Sequence, residues 1–246
     1  MWLKLHNALP DNTTKMMLIA WILLATIVAY LLGSIPTAVW VGQQYFGIDV
    51  RQHGSKNAGA TNTFRVLGRK AGITVLFIDS LKGFLAALGP MLLVYLDLLP
   101  VVNLVQLQLV CGIAAIIGHI FPIFAGFKGG KGVATLAGMM LAIHPTGVGV
   151  CVLIFLLTLI VFGYVSLGSM VGALAFPVLL VTRALGDYDG SLFVFGLIMA
   201  VGIVYTHKKN IGRLLKGEET KTYLWGGGRP KCNDLPQSMT DTSQDS

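Results

Sequence analysis

Charged residues are scarce in this sequence. Asp, Glu, Lys and Arg together make up 12% of its 246 residues, about half of the roughly 25% that is typical of globular domains. Hydrophobic residues make up 54%, and the mean hydropathy is +0.74. So few charges cannot cover a water-soluble surface, which argues against a soluble enzyme, a disordered chain and a nucleic-acid-binding protein. The composition predicts an all-α, polytopic membrane protein instead.

Cysteine is also rare, and metal-binding patterns are missing. Of the three cysteines, Cys111 and Cys151 lie in apolar runs and Cys232 lies in the polar C-terminal tail. There is no C-x-x-C pair and no His/Cys cluster with ligand spacing, so we expect no disulfide framework, no metal site and no cofactor. An internal repeat is missing too, which weakens the case for a transporter built from inverted repeats.

Long apolar runs dominate the rest of the sequence. At about 1.5 Å per residue, the longer runs can cross a hydrocarbon core of about 30 Å. The first run contains Gly33-Ser34-Ile35-Pro36, which predicts a break in its helix. The run Val133–Ile143 has only 11 residues and is interpreted as a short span or a re-entrant helix. About seven transmembrane helices are predicted, over residues 16–41, 71–96, 104–124, 133–143, 146–165, 167–181 and 192–205.

Lysine and arginine are distributed unequally between the two sides of these spans. With seven crossings, 14 of them fall on one side and three on the other, and Lys82 lies within a span. The positive-inside rule then puts the N-terminus outside and the C-terminus in the cytoplasm. The predicted units are an external segment 1–15, a membrane domain 16–206 with cytoplasmic loops 42–70, 125–132 and 164–169, a basic amphipathic segment 207–225 and a disordered tail 226–246.

Uncommon polar residues gather in the cytoplasmic loops, which predicts a site that faces the cytoplasm. In loop 42–70 small and hydroxyl-bearing residues are dense. Thr61 or Asn62 would cap a short helix over 63–67, a geometry that suits an anion, and Arg51 would clamp a phosphate. The alternative is an ordinary positive-inside loop, which explains the charges but not the small polar residues.

Asp79 and Lys82 are charged residues inside an apolar run. They are three residues apart and therefore share a helical face. Charges in such a place usually pair with each other. The pair would serve either a functional site or helix–helix packing, and the sequence does not favour one over the other.

The segment 126–132, Gly-Phe-Lys-Gly-Gly-Lys-Gly, interleaves glycines with Lys128 and Lys131. Backbone N–H groups at glycines can approach an anion while the lysines supply charge, which predicts phosphate binding. The segment is not a Walker A loop, because Ala125 and Gly132 stand where that motif needs Gly and Ser or Thr. The alternative is a flexible basic turn.

Two further polar segments flank the last spans. The turn 164–169 carries Ser166 and Ser169 and is unremarkable when taken alone. After the last span, His207 and Asn210 share one helical face while apolar residues share another, which is typical of an amphipathic helix lying on a membrane. The alternative is a basic segment that ends the span at the membrane surface.

Six stretches carry a family resemblance: GSIPTA from Gly33, GIDVRQHGSKNAGATNTFRVLGRKAG from Gly47, DSLKG from Asp79, GHIFPIFAGFKGGKGVAT from Gly118, YVSLGS from Tyr164 and HKKNIGRLLKGEETK from His207. In this order they resemble the PlsY family of bacterial membrane glycerol-3-phosphate acyltransferases. The resemblance implies a seven-span enzyme of the bacterial inner membrane. It implies acyl transfer from acyl-phosphate to the 1-position of sn-glycerol 3-phosphate, giving 1-acyl-glycerol 3-phosphate (lysophosphatidate) and phosphate, without direct use of acyl-CoA.

The resemblance also implies roles for individual residues. It assigns catalysis to Ser34, Arg51, His207 and Asn210. It assigns the binding of substrate phosphate to Ser55, Asn57, Thr61, Asn62, Lys82, His119, Lys128, Gly129, Gly130, Lys131, Gly132, Ser166 and Ser169. Glu219 matches an acidic position for which a structural role is expected, and Lys56 stands where the family usually has glycine.

Two routes for deprotonating the acceptor hydroxyl stay open, namely assistance by the substrate's own phosphate and general-base catalysis by His207. The expected partners are acyl-phosphate, glycerol 3-phosphate, membrane lipid and the enzyme that produces acyl-phosphate. The alternative function is an organic-anion or phosphate transporter. A transporter predicts polar residues at mid-membrane depth and on both faces, whereas here they are concentrated on one side.

Overall fold

The computed structural model describes residues 12–99, 104–184 and 189–222. Within these ranges the regular structure is helical, which confirms the predicted all-α class. Ten α-helices follow in order: α1 (Asn12–Gly33), α2 (Thr37–Phe46), α3 (Ala60–Leu67), α4 (Arg69–Tyr95), α5 (Leu104–Ile120), α6 (Val133–Ile143), α7 (Pro145–Phe162), α8 (Val165–Val181), α9 (Gly190–Thr206) and α10 (Lys208–Leu215). Short 3₁₀ turns, Val50–Gln52 and Ile123–Ala125, lie in the connections.

Each apolar run predicted to cross the membrane contains a helix. Among the described residues, four helical stretches are long and apolar enough to span a bilayer: Asn12–Phe46, Arg69–Tyr95, Leu104–Ala125 and Pro145–Phe162. A fifth is added if α9 and α10 count as one bent span, while α6 and α8 are shorter apolar helices. The outer faces of α1, α7 and α9 expose large apolar side chains, as expected where lipid is the solvent. The chain is therefore a multi-pass membrane protein.

The first apolar run is broken where the sequence predicts a break. α1 ends at Gly33, and α2 starts at Thr37 after Pro36, which has no backbone N–H to donate. At the break the Ile35 carbonyl accepts hydrogen bonds from the Thr37 N–H and from Lys82 Nζ of α4, both at 3.0 Å. A lysine within one apolar helix thus stabilises the broken end of another.

Glycines let the central helices approach one another closely. A Cβ on Gly83 of α4 would overlap the Thr135 carbonyl of α6, and a Cβ on Gly138 of α6 would overlap the Ser80 carbonyl of α4. Gly118 of α5 meets the backbone of α1 in the same way. Small residues at helix crossings are typical of membrane bundles. They hold α6 close to α4, with α5 beside both.

Two of the predicted units contain helix in the structure. α1 starts at Asn12, so the last part of the predicted external segment 1–15 is helical. The loop predicted over 42–70 contains the end of α2, all of α3 and the start of α4. Residues 1–11, most of that external segment, lie outside the described residues, as does the tail 226–246 predicted to be disordered.

The short helix predicted over 63–67 begins earlier, at Ala60, and its N-cap is Gly59 without a side-chain hydrogen bond. The predicted capping role of Thr61 or Asn62 was therefore wrong. Both residues lie inside the first turn, because the small Gly59 and Ala60 allow the chain to enter the helix before them.

The chain bends by 59° between α9 and α10, with His207 at the bend. After α10 it turns at Gly217, whose φ of +70° lies in the left-handed region, and it runs back toward the α7–α8 connection. There the Thr222 N–H donates to the Gly163 carbonyl at 2.7 Å. This return places Glu219 beside the start of α8.

Candidate active site

A cavity of about 780 Å³ opens between the helices α3 to α10. Its polar lining residues, most of them at one end, are Ser55, Lys56, Asn57, Thr61, Arg65, Asp79, Ser80, His119, Lys131, Ser166, Ser169, His207, Lys209, Asn210, Arg213 and Glu219. At the other end the lining is apolar. Most of the predicted site residues meet here, and backbone at Gly130 and Gly132 joins them. The exceptions are Ser34, Arg51, Asn62, Lys82, Lys128 and Gly129, which are not part of this lining.

The glycine segment 126–132 is folded onto the end of α5. Gly129 N–H donates to the Ile120 carbonyl and Gly130 N–H to the His119 carbonyl, both at 3.1 Å. A Cβ on Gly129 would overlap that His119 carbonyl, and one on Gly130 would overlap the His119 ring. Close packing therefore explains these two glycines. The structure corrects the expectation that their N–H groups face an anion, because the last carbonyls of α5 already accept them.

The start of α6 is the better-placed anion site in this segment. Gly132, with a φ of +80°, is the N-cap of α6, and its carbonyl accepts the first helical bond, from Leu136 N–H at 2.8 Å. The N–H groups of the first turn have no partner within a helix. Gly132, Val133 and Ala134 line the cavity, so this helix N-terminus adds positive potential to the polar end.

A carboxylate joins three elements at the polar end. Glu219 Oε1 accepts hydrogen bonds from Asn210 Nδ2 at 2.7 Å and from Ser166 Oγ at 3.0 Å, and Oε2 accepts from Arg213 Nε at 2.6 Å. Burial raises the pKa of Glu219, but these three hydrogen bonds outweigh it and hold the pKa below its ordinary value. Lys131 Nζ donates to Asn210 Oδ1, which connects the carboxylate to the glycine segment.

Positive charge exceeds negative charge around Glu219. Arg65, Lys131 and Arg213 approach this one carboxylate. Burial lowers the pKa of Lys131 to about 8, aided by the charges of Arg213 and Arg65, and burial also lowers the pKa of Arg65. Clustered cations at the start of a helix favour an anion, and a phosphate is the group that matches them best.

Arg65 is the residue that sequence reasoning missed. Its Nη2 donates to the Thr220 carbonyl at 3.3 Å, while its Nε is buried and has no hydrogen-bond partner among the described residues. From the sequence, Arg65 was interpreted only as one of the positive charges of loop 42–70. The available signal was its spacing: Thr61 and Arg65 are four apart on α3 and share the face that lines the cavity.

His207 terminates α9 and lines the cavity. Its Nδ1 lies 2.8 Å from the Ile203 carbonyl, which can only accept, so Nδ1 carries the hydrogen and Nε2 is left with a lone pair. Burial, followed by the charge of Lys131, lowers the pKa of His207 to about 4. The imidazole is therefore neutral at pH 7.

Asp79, Lys82 and His119 form a buried polar cluster in the cavity wall, where Asp79 and His119 belong to the lining and Lys82 does not. Lys82 Nζ lies 2.9 Å from Asp79 Oδ1, which confirms the predicted pairing. The same oxygen accepts from Thr37 Oγ1 at 3.1 Å and lies 3.7 Å from His119 Nδ1. With Lys82 only 3% exposed and bonded to Ile35, its ammonium is not available to a phosphate. Ser34, fully buried nearby, packs beside Gly118.

Arg51 lies beside the glycine segment, and neither Arg51 nor Lys128 lines the cavity. Arg51 pairs with Asp49 at 2.7 Å and donates to the Ala125 carbonyl, also at 2.7 Å. The hydrogen bonds from Arg51 lower the pKa of Asp49. The guanidinium thus ties loop 47–52 to the turn that precedes the glycine segment, which differs from the phosphate clamp predicted for it.

The loop before α3 is shaped by Asn62. Its Oδ1 accepts from the Ser55 N–H at 2.8 Å, and its Nδ2 donates to the carbonyls of Val50 and His53 at 2.8 and 3.1 Å. All its capacity is used inside the loop, so it positions Ser55 rather than meeting a ligand. Lys56, exposed at the cavity edge, has a φ of +59°. This left-handed conformation explains why glycine suits the position.

Within the described part of the chain, no group of three His, Cys, Asp or Glu side chains is placed to hold a metal ion. The polar end contains instead a set of cations and hydroxyls, two amides, two imidazoles and the Glu219 carboxylate. Such a set binds and orients phosphate esters and can stabilise negative charge that develops during acyl transfer.

Comparison with known proteins agrees with this geometry. A family model described as glycerol-3-phosphate acyltransferase matches residues 23–217. The glycerol-3-phosphate acyltransferase of Chlorobium limicola is 46% identical over 219 residues, which cover 79% of this chain and 93% of that protein. The glycerol-3-phosphate acyltransferase of Chlorobaculum tepidum is 46% identical over 218 residues, covering 79% and 94%.

Two solved structures are similar as well. One is PlsY, an integral membrane glycerol 3-phosphate acyltransferase, in its glycerol 3-phosphate form, with a TM-score of 0.71, 36% identity and coverage of 82% of this chain and 96% of that one. The other is its lysophosphatidic acid form, with a TM-score of 0.68, 36% identity and coverage of 81% and 94%. The chain therefore belongs to the PlsY family of glycerol-3-phosphate acyltransferases.

Proposed function

We propose that this member of the family uses acyl-phosphate as its donor and acylates the 1-position of sn-glycerol 3-phosphate, releasing 1-acyl-glycerol 3-phosphate and phosphate. The observation that carries the proposal is a single cavity with two unlike ends. Its polar end has more cations than carboxylates, and its apolar end is lined by α6 to α9. An amphipathic donor, with an acyl chain and an anionic phosphate, matches both ends at once.

The polar end holds the phosphates of the substrates. Lys131, Arg65 and the first turn of α6 supply positive charge, and Asn210 and His207 supply hydrogen-bonding groups beside them. Ser55, Asn57, Thr61, Ser166 and Ser169 add hydroxyls and an amide around the same space. Packing and structural hydrogen bonds account for six other motif residues: Ser34, Arg51, Asn62, Lys82, Gly129 and Gly130. Lys128 is not part of the cavity lining.

Acyl transfer proceeds by attack of the substrate 1-hydroxyl oxygen on the acyl carbon. The new ester bond forms as the bond between the acyl carbon and the phosphate oxygen breaks, and phosphate leaves with the electron pair. The hydroxyl proton is taken up by a phosphate oxygen of the substrates or by Nε2 of His207, which is neutral and able to accept it. Holding both reactants in place supplies much of the rate enhancement, and the cations stabilise the leaving phosphate.

The topology proposed here has seven spans, with the N-terminus outside and the C-terminus in the cytoplasm of a bacterium. The unequal distribution of lysine and arginine supports this orientation. The polar end of the cavity then faces the cytoplasm at the inner membrane surface. There it receives soluble glycerol 3-phosphate, and it meets acyl-phosphate delivered in the membrane by the enzyme that produces it.

The donor is tested directly with the purified protein in detergent or lipid. Palmitoyl-phosphate or palmitoyl-CoA is mixed with glycerol 3-phosphate, and lysophosphatidate and released phosphate are both measured. We expect equal amounts of the two products from palmitoyl-phosphate and no lysophosphatidate from palmitoyl-CoA. Product from palmitoyl-CoA alone would overturn the proposed donor. Glycerol 3-phosphate flux into liposomes without product would favour the transporter instead.

A further inference from the structure

The apolar arm of the cavity follows two antiparallel helices. On α8 the lining residues succeed one another at helical spacing from Ser166 through Ser169 and Ala173 to Phe176. On α9 they run in the opposite direction, from His207 back to Phe195. Phe176 lies ten positions after Ser166 on the helix, so the arm is about 15 Å long from its polar end to its last lining turn.

Small residues keep the middle of the arm open. Gly172 and Ala173 on α8 and Gly196 on α9 line it without filling it. Gly196 also allows close packing, because a Cβ there would lie 2.9 Å from Phe176 Cδ1. The width of the arm is therefore set by residues that lack side-chain volume, and an unbranched chain matches that shape.

The arm ends at Phe176. This side chain and that of Phe195 are both buried, and both belong to one apolar cluster with Met140 and with Leu180, one turn further along α8. Phe176 and Phe195 line the cavity, whereas Leu180 is not part of the lining. The two rings thus separate the open arm from closely packed core.

The Phe176 ring is held in place from behind. It meets the His144 ring edge to face, with centroids 5.9 Å apart and an interplanar angle of 87°. The His144 ring is itself fixed, because its Nδ1 accepts a hydrogen bond from the Gly147 N–H at 3.0 Å at the start of α7. Phe176 cannot swing aside without breaking this contact and meeting Gly196.

We propose that Phe176, braced by His144, is the floor that sets the acyl-chain length this enzyme accepts. The inference rests on the proposed function in placing an acyl chain in the arm. Chains that reach the ring bury their full length, and longer chains must fold back or leave the arm between helices. Each methylene that the arm buries from water contributes about fourfold to binding. Methylenes beyond the length that fills the arm contribute nothing there, so the preference stops rising at that length.

The test compares lauroyl-, myristoyl-, palmitoyl- and stearoyl-phosphate as donors at saturating glycerol 3-phosphate. Phe176→Ala lengthens the arm, so kcat/KM for the longest donor relative to the shortest should rise by about tenfold or more over wild type. Phe176→Leu preserves the packing better, so it should raise the same ratio of kcat/KM values by a smaller factor. Ala173→Leu fills the arm and should shift the ratio toward short chains. Leu174→Ala, on the exposed face of the same helix, is the matched control and should leave the ratio unchanged.

A second measurement separates failure of the floor from failure of the donor assignment. Stabilisation of each variant against heat by lysophosphatidates of the same four chain lengths requires product binding but no donor. If wild type makes no product from acyl-phosphate, the donor assignment fails, and the product series still tests the floor. If folded Phe176→Ala, Phe176→Leu and Ala173→Leu all keep the wild-type chain-length order in both measurements, the proposed floor is wrong.

Discussion

Lys131 and Asn210, 79 positions apart in the sequence, share a hydrogen bond in which the lysine ammonium donates to the amide oxygen. Lys131 belongs to the glycine segment 126–132, which is bonded to the end of α5, whereas Asn210 belongs to α10. The amide nitrogen of Asn210 donates in turn to Glu219. One short chain of bonds therefore joins the glycine segment, the last helix and the returning C-terminal segment at the polar end of the cavity.

The pH dependence of the reaction should report the ionisation of the Lys131 side chain. Because its pKa is lowered to about 8, the ammonium is charged below that pH and neutral above it. We expect kcat/KM for glycerol 3-phosphate to fall above pH of about 8, since kcat/KM reports the ionisation of the free enzyme. In Lys131→Arg the side chain stays charged throughout, and the fall should disappear when each profile is scaled to its own maximum. If Lys131→Arg shows the same fall in kcat/KM above pH of about 8, that fall belongs to the ionisation of another group.

Glycine at position 129 should be required for packing. In Gly129→Ala the new Cβ would overlap the His119 carbonyl, so the segment must move and Lys131 with it. We expect a loss of at least about tenfold in kcat/KM, as is usual when a substrate-positioning group is displaced. Gly89→Ala in α4 is the control, because nothing lies near its Cβ. Equal activity of the two variants would show that the segment tolerates the displacement.

The buried Asp79–Lys82 pair should behave as a unit. Lys82→Met leaves the Asp79 carboxylate buried without its ammonium partner, and Asp79→Asn leaves the ammonium without its carboxylate. Each change should destabilise by about 3–5 kcal/mol. The double variant should lose clearly less than the sum of the two single losses, because no unpaired charge remains. Thermal unfolding of the wild type, the two single variants and the double variant in one detergent measures these losses of stability. Losses that add in the double variant would contradict the pairing.

Much of the helical architecture could be predicted, because apolar runs and breaks are local properties. Each predicted run contains a helix, the break near Pro36 is present, and Asp79 and Lys82 pair as their spacing indicates. Positions in the family motifs could also be found. Most of them, including Lys131, His207 and Asn210, line one cavity.

Roles that depend on distant neighbours could not be predicted. The sequence does not show that the last carbonyls of α5 lie opposite Gly129 and Gly130, so their N–H groups were expected to face a ligand. It does not show that Asp49 and Ala125 occupy the donors of Arg51. Arg65 was missed for the same reason, because its unpartnered Nε becomes visible only once α3 lies against the cavity.

The central claim is that the polar end of this cavity binds the phosphate of glycerol 3-phosphate. The most direct measurement is the KM for glycerol 3-phosphate in Arg65→Gln and in the matched Arg69→Gln, whose arginine is exposed at the start of α4. Loss of a charge-assisted hydrogen bond should raise the KM of Arg65→Gln by about tenfold or more and leave that of Arg69→Gln within about twofold of wild type. Equal KM values in wild type and a folded Arg65→Gln enzyme would contradict the account.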